Sequence, residues 1–470
     1  MRAPSASEGA RLHPAAIAVW FIEDGRRLGL GLIPLLAIGG RVRFLLLAGL
    51  VFAALAPLVR WLRFRYHTAP GTLVVEGGVV NRWRRTIPAA RVQSIDIVQK
   101  LRHRAFGVVE LRIEVAGGSG TEAALVALAP EEAERVRRSL SQEEPATGPG
   151  AVPPPVLVRM TPRDLVLAGL TGGRVAIIAV LLGYLQQLAP EDFISSGAEQ
   201  LVDMGVGGVW LVISSIAGFI VLAAVISLGA TVVTLWEFTV ERSGERLLIT
   251  RGLLERRRSQ VALHRLQAVT LQENVLRRAL GLASVTVVVA GRAGPKEEQH
   301  ETSLLLPTGS RRTALELIAE VIGADASRLT EDLVPAPRAA LWRRLAYAAI
   351  VALAAGGAGI AGLDARGAAA FVVGAPAALV AGAAWRALGH RVDRPHLVVR
   401  RGVLVRQTSF VALPNVQDLR LTISPLQRAG ELATLVLGIP KQRLKAVDLE
   451  RNRAEASFEQ VADRLFSAPA

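Results

Sequence analysis

The sequence predicts an α+β membrane protein: three transmembrane helical hairpins, six helices in all, each followed by an antiparallel β domain closed by a C-terminal helix. Three observations predict it. The stretch 73–113 recurs without a gap at 247–287 and again at 397–437. Each copy follows a pair of long apolar segments, and the chain is 51% hydrophobic with a mean hydropathy of +0.37, above soluble norms. Within each copy the apolar residues alternate as half-buried strands do, and only afterwards fall at helical spacing. The period is too long for a solenoid and has the size of a domain with its anchor.

A spanning helix needs about 20 predominantly apolar residues. Six candidate spans emerge. The first is 28–39, extended back through 15–22 but interrupted by Glu23, Asp24, Arg26 and Arg27. The second, 44–62, has Arg60 near its end; the third, 165–188, has Arg174 alone. The others are 206–236, 345–363 and 368–388. In the last pair Ala354, Ala358 and Gly362 face Gly374, Ala378 and Gly382, a small-residue pattern that lets backbones approach, within the hairpin or across a dimer. A homo-oligomer is thus left open.

Orientation follows from the flanks. The loop 190–205 carries Glu191, Asp192, Glu199 and Asp203 without Lys or Arg. The opposite ends carry Arg60, Arg63 and Arg65, then Arg242 and Arg246, then Arg386, Arg391 and Arg394, although Arg41 and Arg43 in the first hairpin loop oppose them. The positive-inside rule therefore puts both termini and all three repeats in the cytoplasm of a multi-pass protein of the bacterial inner membrane. The polar first ten residues lack the pattern of a cleavable signal peptide.

Each β domain opens as strand, Gly turn, strand: Leu73-Val-Val-Glu-Gly-Gly-Val-Val, then its counterparts from Leu247 and Leu397. A segment bearing a shared Gln follows, then a polar connection and an aliphatic strand. The copies end in amphipathic helices at 130–140, 312–322 and 454–466; the last places Phe458, Val461, Ala462 and Leu465 on one face. A twisted sheet of about seven short strands closed by one helix is the order this implies. Prolines make 142–155 a linker.

These parts resemble the bacterial pleckstrin-homology (PH)-like membrane proteins of the YdbT type. The resemblance rests on Ile87-Pro-Ala-Ala-Arg-Val-Gln93 with Arg104-Ala-Phe-Gly107, on Val261-Ala-Leu-His-Arg-Leu-Gln267 with Arg278-Ala-Leu-Gly281, and on the opening Arg11-Leu-His-Pro14. Copy three departs, with Asn415 in place of the Arg and Glu431 in place of the Gly. The resemblance implies a PH-like fold at a membrane and brings no catalytic residues. The expected organisation is transmembrane pair 1 at 1–65, PH-like domain 1 at 66–145, a Pro-rich linker at 146–162, transmembrane pair 2 at 163–238, PH-like domain 2 at 239–325, transmembrane pair 3 at 326–390 and PH-like domain 3 at 391–470.

The chemistry is bounded by what the chain contains. It has no cysteine, so disulfides, thiolate metal sites and thiol nucleophiles are excluded. The seven His residues do not cluster, and Lys296-Glu-Glu-Gln-His-Glu301 reads as a solvated loop. No phosphate loop, zinc motif or nucleophile elbow occurs. An enzyme, a metal and a cofactor are therefore not expected. The net charge of +15 comes almost wholly from Arg, with Lys only at Lys100, Lys296, Lys441 and Lys445. It fits membrane topology and anionic lipid, while only 5% aromatic content weighs against nucleic acid.

Three shared polar columns are the candidate site. Arg82, Arg256 and Arg406 follow the Gly turn at Gly78, Gly252 and Gly402, and Arg84, Arg85, Arg257 and Arg258 stand beside the first two. Packed this closely, they match the phosphate oxygens of anionic lipid; the plainer reading is solvated strand-edge charge that discourages pairing between chains. Arg104, Arg278 and Arg428 stand beside a shared Ala and read as structural, bonding a turn or backbone carbonyls. Gln93, Gln267 and Gln417 read as satisfied amides among apolar neighbours. The function expected is non-catalytic binding or scaffolding at the inner membrane surface, through lipid head groups or an envelope protein partner; the alternative is a transporter or lipid-handling protein.

Overall fold

The computed structural model describes residues 9–32, 55–79, 81–115, 121–141, 154–172, 206–289, 304–363, 374–393, 395–439 and 442–467. They fall into two compact units.

The first unit begins with helix α1 (Ala15–Leu32). Strands β1 (Arg65–Ala69), β2 (Thr72–Gly77) and β3 (Trp83–Pro88) form an antiparallel sheet in that order. A one-turn 3-10 helix, Ala89–Arg91, carries the Pro-x-x-Arg motif into β4 (Val92–Gln99). The short helix α2 (Leu101–Ala105), strands β5 (Val109–Val115) and β6 (Thr121–Leu128) and helix α3 (Pro130–Ser141) complete the first module. Its two sheets face each other. Leu73, Val75 and Ile87 from one meet Ile95, Leu111, Ile113 and Leu125 from the other, while Val136 and Leu140 of α3 close the end. Trp20 of α1 is buried in the same core, so burial of apolar area binds the N-terminal helix to the module.

The second sheet of this module does not stop at β4. Strands β7 (Val156–Arg159), β8 (Thr239–Ser243), β9 (Arg246–Arg251) and β10 (Arg256–Ala262) extend it, giving the order β6-β5-β4-β10-β9-β8-β7. The leading strands of the second copy are thus hydrogen-bonded to the trailing strands of the first. Arg256 lies opposite Gln99, Arg257 opposite Val98 and Ser259 opposite Asp96.

The second unit repeats the device. It contains α4 (Pro162–Thr171), most of α5 (Val206–Leu235), β11 (Leu266–Asn274), α6 (Val275–Ala279), β12 (Leu282–Val289), β13 (Leu304–Ser310), α7 (Arg311–Ile322) and α8 (Ala326–Glu331). The third copy follows: β14 (Val334–Pro335), α9 (Arg338–Leu363), α10 (Gly374–Ala387), β15 (Gly389–Asp393), β16 (His396–Arg401), β17 (Val405–Ala412), β18 (Asp418–Thr422), α11 (Pro425–Ala429), β19 (Leu432–Ile439), β20 (Gln442–Glu450) and α12 (Arg451–Ser467). One sheet runs β13-β12-β11-β17-β16-β15-β14; the other is β18-β19-β20. Across β11 and β17, Glu273 lies opposite Arg406, Gln272 opposite Gln407 and Thr270 opposite Ser409. Superposing the copies by sequence shows that both junctions have the same register.

Each copy also pairs with a stretch that precedes its apolar helices. β7 pairs with β8 and β14 with β15, and in the first copy an isolated bridge joins Ala10 to Tyr66. The stretch 146–162, read from its prolines as a linker, therefore carries a strand.

The expectation of six spans is met in part. Among the described residues two helical segments are long and apolar enough to cross a bilayer, Ala217–Leu235 with mean hydropathy 2.4 and Arg338–Gly357 with 1.3. They belong to the fourth and fifth expected spans. The first is interrupted in α1 by Glu23 and Asp24, and residues 368–373 of the sixth lie outside the described residues. Residues 33–54 and 173–205, which hold most of the second and third, lie outside the described residues. α9 and α10 approach closely at Gly374, where a methyl group would stand 2.9 Å from Cβ of Ala352, whereas one on Gly382 would meet nothing within 4 Å.

Candidate functional site

The first copy places its arginines around a recess at the end of the helical stretch 55–63. Leu62, Arg63, Arg65, Glu76, Gly77, Gly78, Arg82, Trp83 and Arg84 line a pocket of about 500 Å³. Strand geometry puts them there. β1 starts directly after the helix, and the Gly77–Gly78 turn returns β3 alongside it, so Arg63 and Arg65 meet Arg82 and Arg84. Glu76 is the sole acid of the lining, paired with Arg84 at 3.2 Å. One aromatic ring, Trp83, lines it; behind the lining Trp83 meets the buried Phe64 edge-on at 6.3 Å, Phe64 meets Trp20 at 6.2 Å, and the Arg60 guanidinium lies 4.2 Å from the Trp20 ring centre. Guanidinium forks beside amphipathic rings are the groups expected at a headgroup layer.

The same columns serve differently in the later copies. Arg256 is exposed and paired with Glu237 at 2.5 Å. Arg257 is buried and meets Asp96 of β4 at 2.8 Å. Arg258 is exposed, and with Arg256, Glu131 and Glu134 it lines a second pocket of about 530 Å³. Arg406 is half-buried opposite Glu273; desolvation and the nearby Arg278 push its pKa below the ordinary guanidinium value. The arginines of copies two and three therefore sit at strand junctions, whereas Arg82, Arg84 and Arg85 lie on an exposed strand end. Sequence identity could not separate these environments.

The other shared columns take structural positions. Gly78, Gly252 and Gly402 have φ of +98°, +102° and +97°. A Cβ there would stand 1.9–2.0 Å from the carbonyl oxygen three residues on, at Asn81, Glu255 and Val405, so only glycine fits. Arg104 donates to the carbonyl of Leu253 at 2.9 Å and Arg278 to that of Val403 at 2.8 Å. Each acceptor follows the shared glycine of the next copy, so this arginine pins one copy to its successor. Arg428 is exposed and makes no side-chain hydrogen bond among the described residues. The Gln column marks an irregularity, since the register skips Gln93 between Val92 and Ser94 and Gln267 between Leu266 and Ala268. Gln267 is buried but Gln417 is exposed, and the side chain of Gln93 lies outside the described residues.

One column escaped the sequence reading because its residue type changes. His103, Arg277 and Gln427 occupy the same place on α2, α6 and α11. Arg277 donates to Ser284 at 2.7 Å, Thr308 at 2.9 Å and Thr171 at 3.1 Å, tying α4 to the sheet of its unit. Gln427 donates to Thr434 and to the buried Asp448, which also meets Arg343 of α9 at 2.6 Å. These contacts join apolar helices to their modules. Among the described residues no group of His, Asp and Glu is arranged to hold a metal ion.

Comparison with known proteins agrees with the architecture. The model of the bacterial PH domain matches three times, at residues 27–144, 173–319 and 343–465. A curated relative, the UPF0699 transmembrane protein YdbT of Bacillus subtilis (strain 168), is 27% identical over 331 residues, which is 64% of this chain and 66% of the relative. The chain thus spans just under two thirds of that relative's length. No solved structure matches. With apolar helices, a transmembrane relative and three matches covering most of its length, the chain is a membrane-associated protein that belongs to the bacterial PH domain family.

Proposed function

We propose that this chain is a non-catalytic, multi-pass protein of the bacterial inner membrane whose PH-like modules work at the cytoplasmic surface, and that the recess of the first module holds the phosphate of anionic lipid head groups. One observation carries the reading: Arg63, Arg65, Arg82 and Arg84 converge on a single concave site that begins where the helix 55–63 ends. The excess of guanidinium over Glu76 leaves a site complementary to phosphate, and Trp83 on its lining suits the interface between tails and water. The later modules then act as a scaffold, their arginines being engaged at junctions.

The test is retention of phosphatidylglycerol by the full chain in neutral detergent, counted by native mass spectrometry against phosphatidylcholine. Each basic group near an anionic surface contributes about 1 kcal/mol, so Arg82→Gln with Arg84→Gln is expected to weaken retention roughly thirtyfold. Equal retention by the variant and the parent would dismiss the recess as a lipid site and leave the fold untouched.

A further inference from the structure

The two junctions between copies define a docking geometry, and one strand edge in each unit repeats half of it. Among the described residues β3 pairs with β2 only, and β18 with β19 only. β3 is the first-copy counterpart of β10 and β17, which join a preceding module. β18 is the third-copy counterpart of β4 and β11, which join a following one. Trp83, Arg84, Arg85 and Thr86 are all exposed, so no described element covers the β3 edge. Even the pin is duplicated, since Arg428 is exposed and the carbonyl it would seek belongs to Val79, itself 49% exposed.

Charge separates these edges from the junctions. At the first junction the central buried position pairs Asp96 with Arg257 at 2.8 Å, next to Ser259. At the second it pairs Thr270 with Ser409 at 3.0 Å. In the same register, Arg85 stands where Ser259 and Ser409 stand, and Arg420 where Asp96 and Thr270 stand. Joining β18 of one chain to β3 of another would set Arg420, which pairs with Asp418 of its own strand at 2.9 Å, directly against Arg85 in a position the other junctions bury. Like charges so placed are strongly disfavoured.

We infer that the β3 edge is a charge-selective strand-addition site: it refuses β18 of a second copy and accepts the corresponding strand of another PH-like module that carries a carboxylate where Asp96 stands. Backbone pairing supplies affinity there and the residue facing Arg85 supplies choice. Arg85, unlike Arg82, Trp83 and Arg84, is not among the residues that line the recess, so Arg85→Asp probes this edge separately from the lipid site.

The chain's own β18 can be made the probe. Because the protein has no cysteine, one population of full chains in detergent carries Trp83→Cys and a differently tagged population carries Thr422→Cys, residues that lie opposite in the junction register. Heterodimer formed under mild oxidant is read on a denaturing gel. Arg420→Asp on the second population is expected to raise it roughly tenfold over the parent pair. Arg85→Asp on the first population alone should raise it as much, which keeps the test readable if either variant misfolds. Both changes together should return it to the parental yield. No rise with either single change, or efficient cross-linking by the parent pair, overturns the inference.

Discussion

Arg257 of β10 and Asp96 of β4 form a buried ion pair at 2.8 Å between the leading strands of the second copy and the trailing strands of the first. Both side chains are more than nine-tenths hidden, with exposures of 7% and 2%. Removing one partner of a buried pair leaves a charge without compensation and costs roughly 3–5 kcal/mol, whereas replacing both by apolar groups is often neutral. Asp96→Ala should therefore lower the thermal unfolding midpoint of the first unit sharply, and Asp96→Leu with Arg257→Met should recover most of it. A single variant that melts like the parent would show that the junction is held by backbone pairing alone.

Glycine positions that look alike in the sequence should respond differently. At Gly252 a methyl group meets a carbonyl oxygen at 2.0 Å with φ +102°, whereas at Gly281 φ is +66° and nothing lies within 4 Å. Gly281→Ala pays only the left-handed backbone penalty, about 1–2 kcal/mol, and Gly252→Ala must add a steric rearrangement to that. The third copy has Glu431 in the place of Gly281, at φ 51°. Glu431→Gly is thus expected to stabilise the protein by roughly 1 kcal/mol, read as a raised denaturant midpoint.

Arg278 and Arg428 are identical by alignment and unequal in the structure. Arg278 donates to the Val403 carbonyl, and a hydrogen bond from a charged group is worth about 1.5–3 kcal/mol. Arg428, exposed and unbonded among the described residues, should tolerate Arg428→Ala within about 0.5 kcal/mol, as surface positions do. Measuring both substitutions by chemical denaturation of the full chain separates a pin from a vestige; equal losses would contradict the assignment.

Much of this architecture is written in local pattern, and the rest is non-local. The Gly turns, the Pro-x-x-Arg step at 88–91 and the closing helices follow from backbone preference and periodicity, which a sequence displays directly. Alternation of Val98 or Leu271 with polar neighbours says that a strand is half-buried; it does not say which strand lies beside it. The pairing of β4 with β10, and the recruitment of β7 from before the apolar helices, therefore could not be read. The arginines illustrate the same limit. Arg82, Arg256 and Arg406 are one column, yet one borders a recess while the others face Glu237 or Glu273, because β10 and β17 join a preceding copy whereas β3 pairs with β2 alone among the described residues.

His103 supplies a pH signature of the first module. It is fully buried on α2, its Nδ1 accepts from the Lys100 amide at 3.3 Å, and its Nε2 has no hydrogen-bond partner among the described residues. Desolvation lowers its pKa from 6.5 to about 4, with Arg102, Lys100 and Arg112 acting in the same direction and Glu110 against them. Burial also opposes ionisation of Glu110, but Arg112 and Lys100 outweigh it and hold that carboxyl below its ordinary range. A base whose folded pKa is depressed binds a proton first in the unfolded chain. Stability is therefore complete above pH 6.5 and falls as pH drops towards 4, by about 1.4 kcal/mol for each pH unit of that window. His103→Gln keeps an acceptor for the Lys100 amide and cannot take up the proton. Its unfolding midpoint should be flatter between pH 6.5 and 4 than the parent's, while both converge in slope above 6.5. Parallel curves through that window would mean that His103 is protonated in the folded module, and that its Nε2 finds a partner when it is.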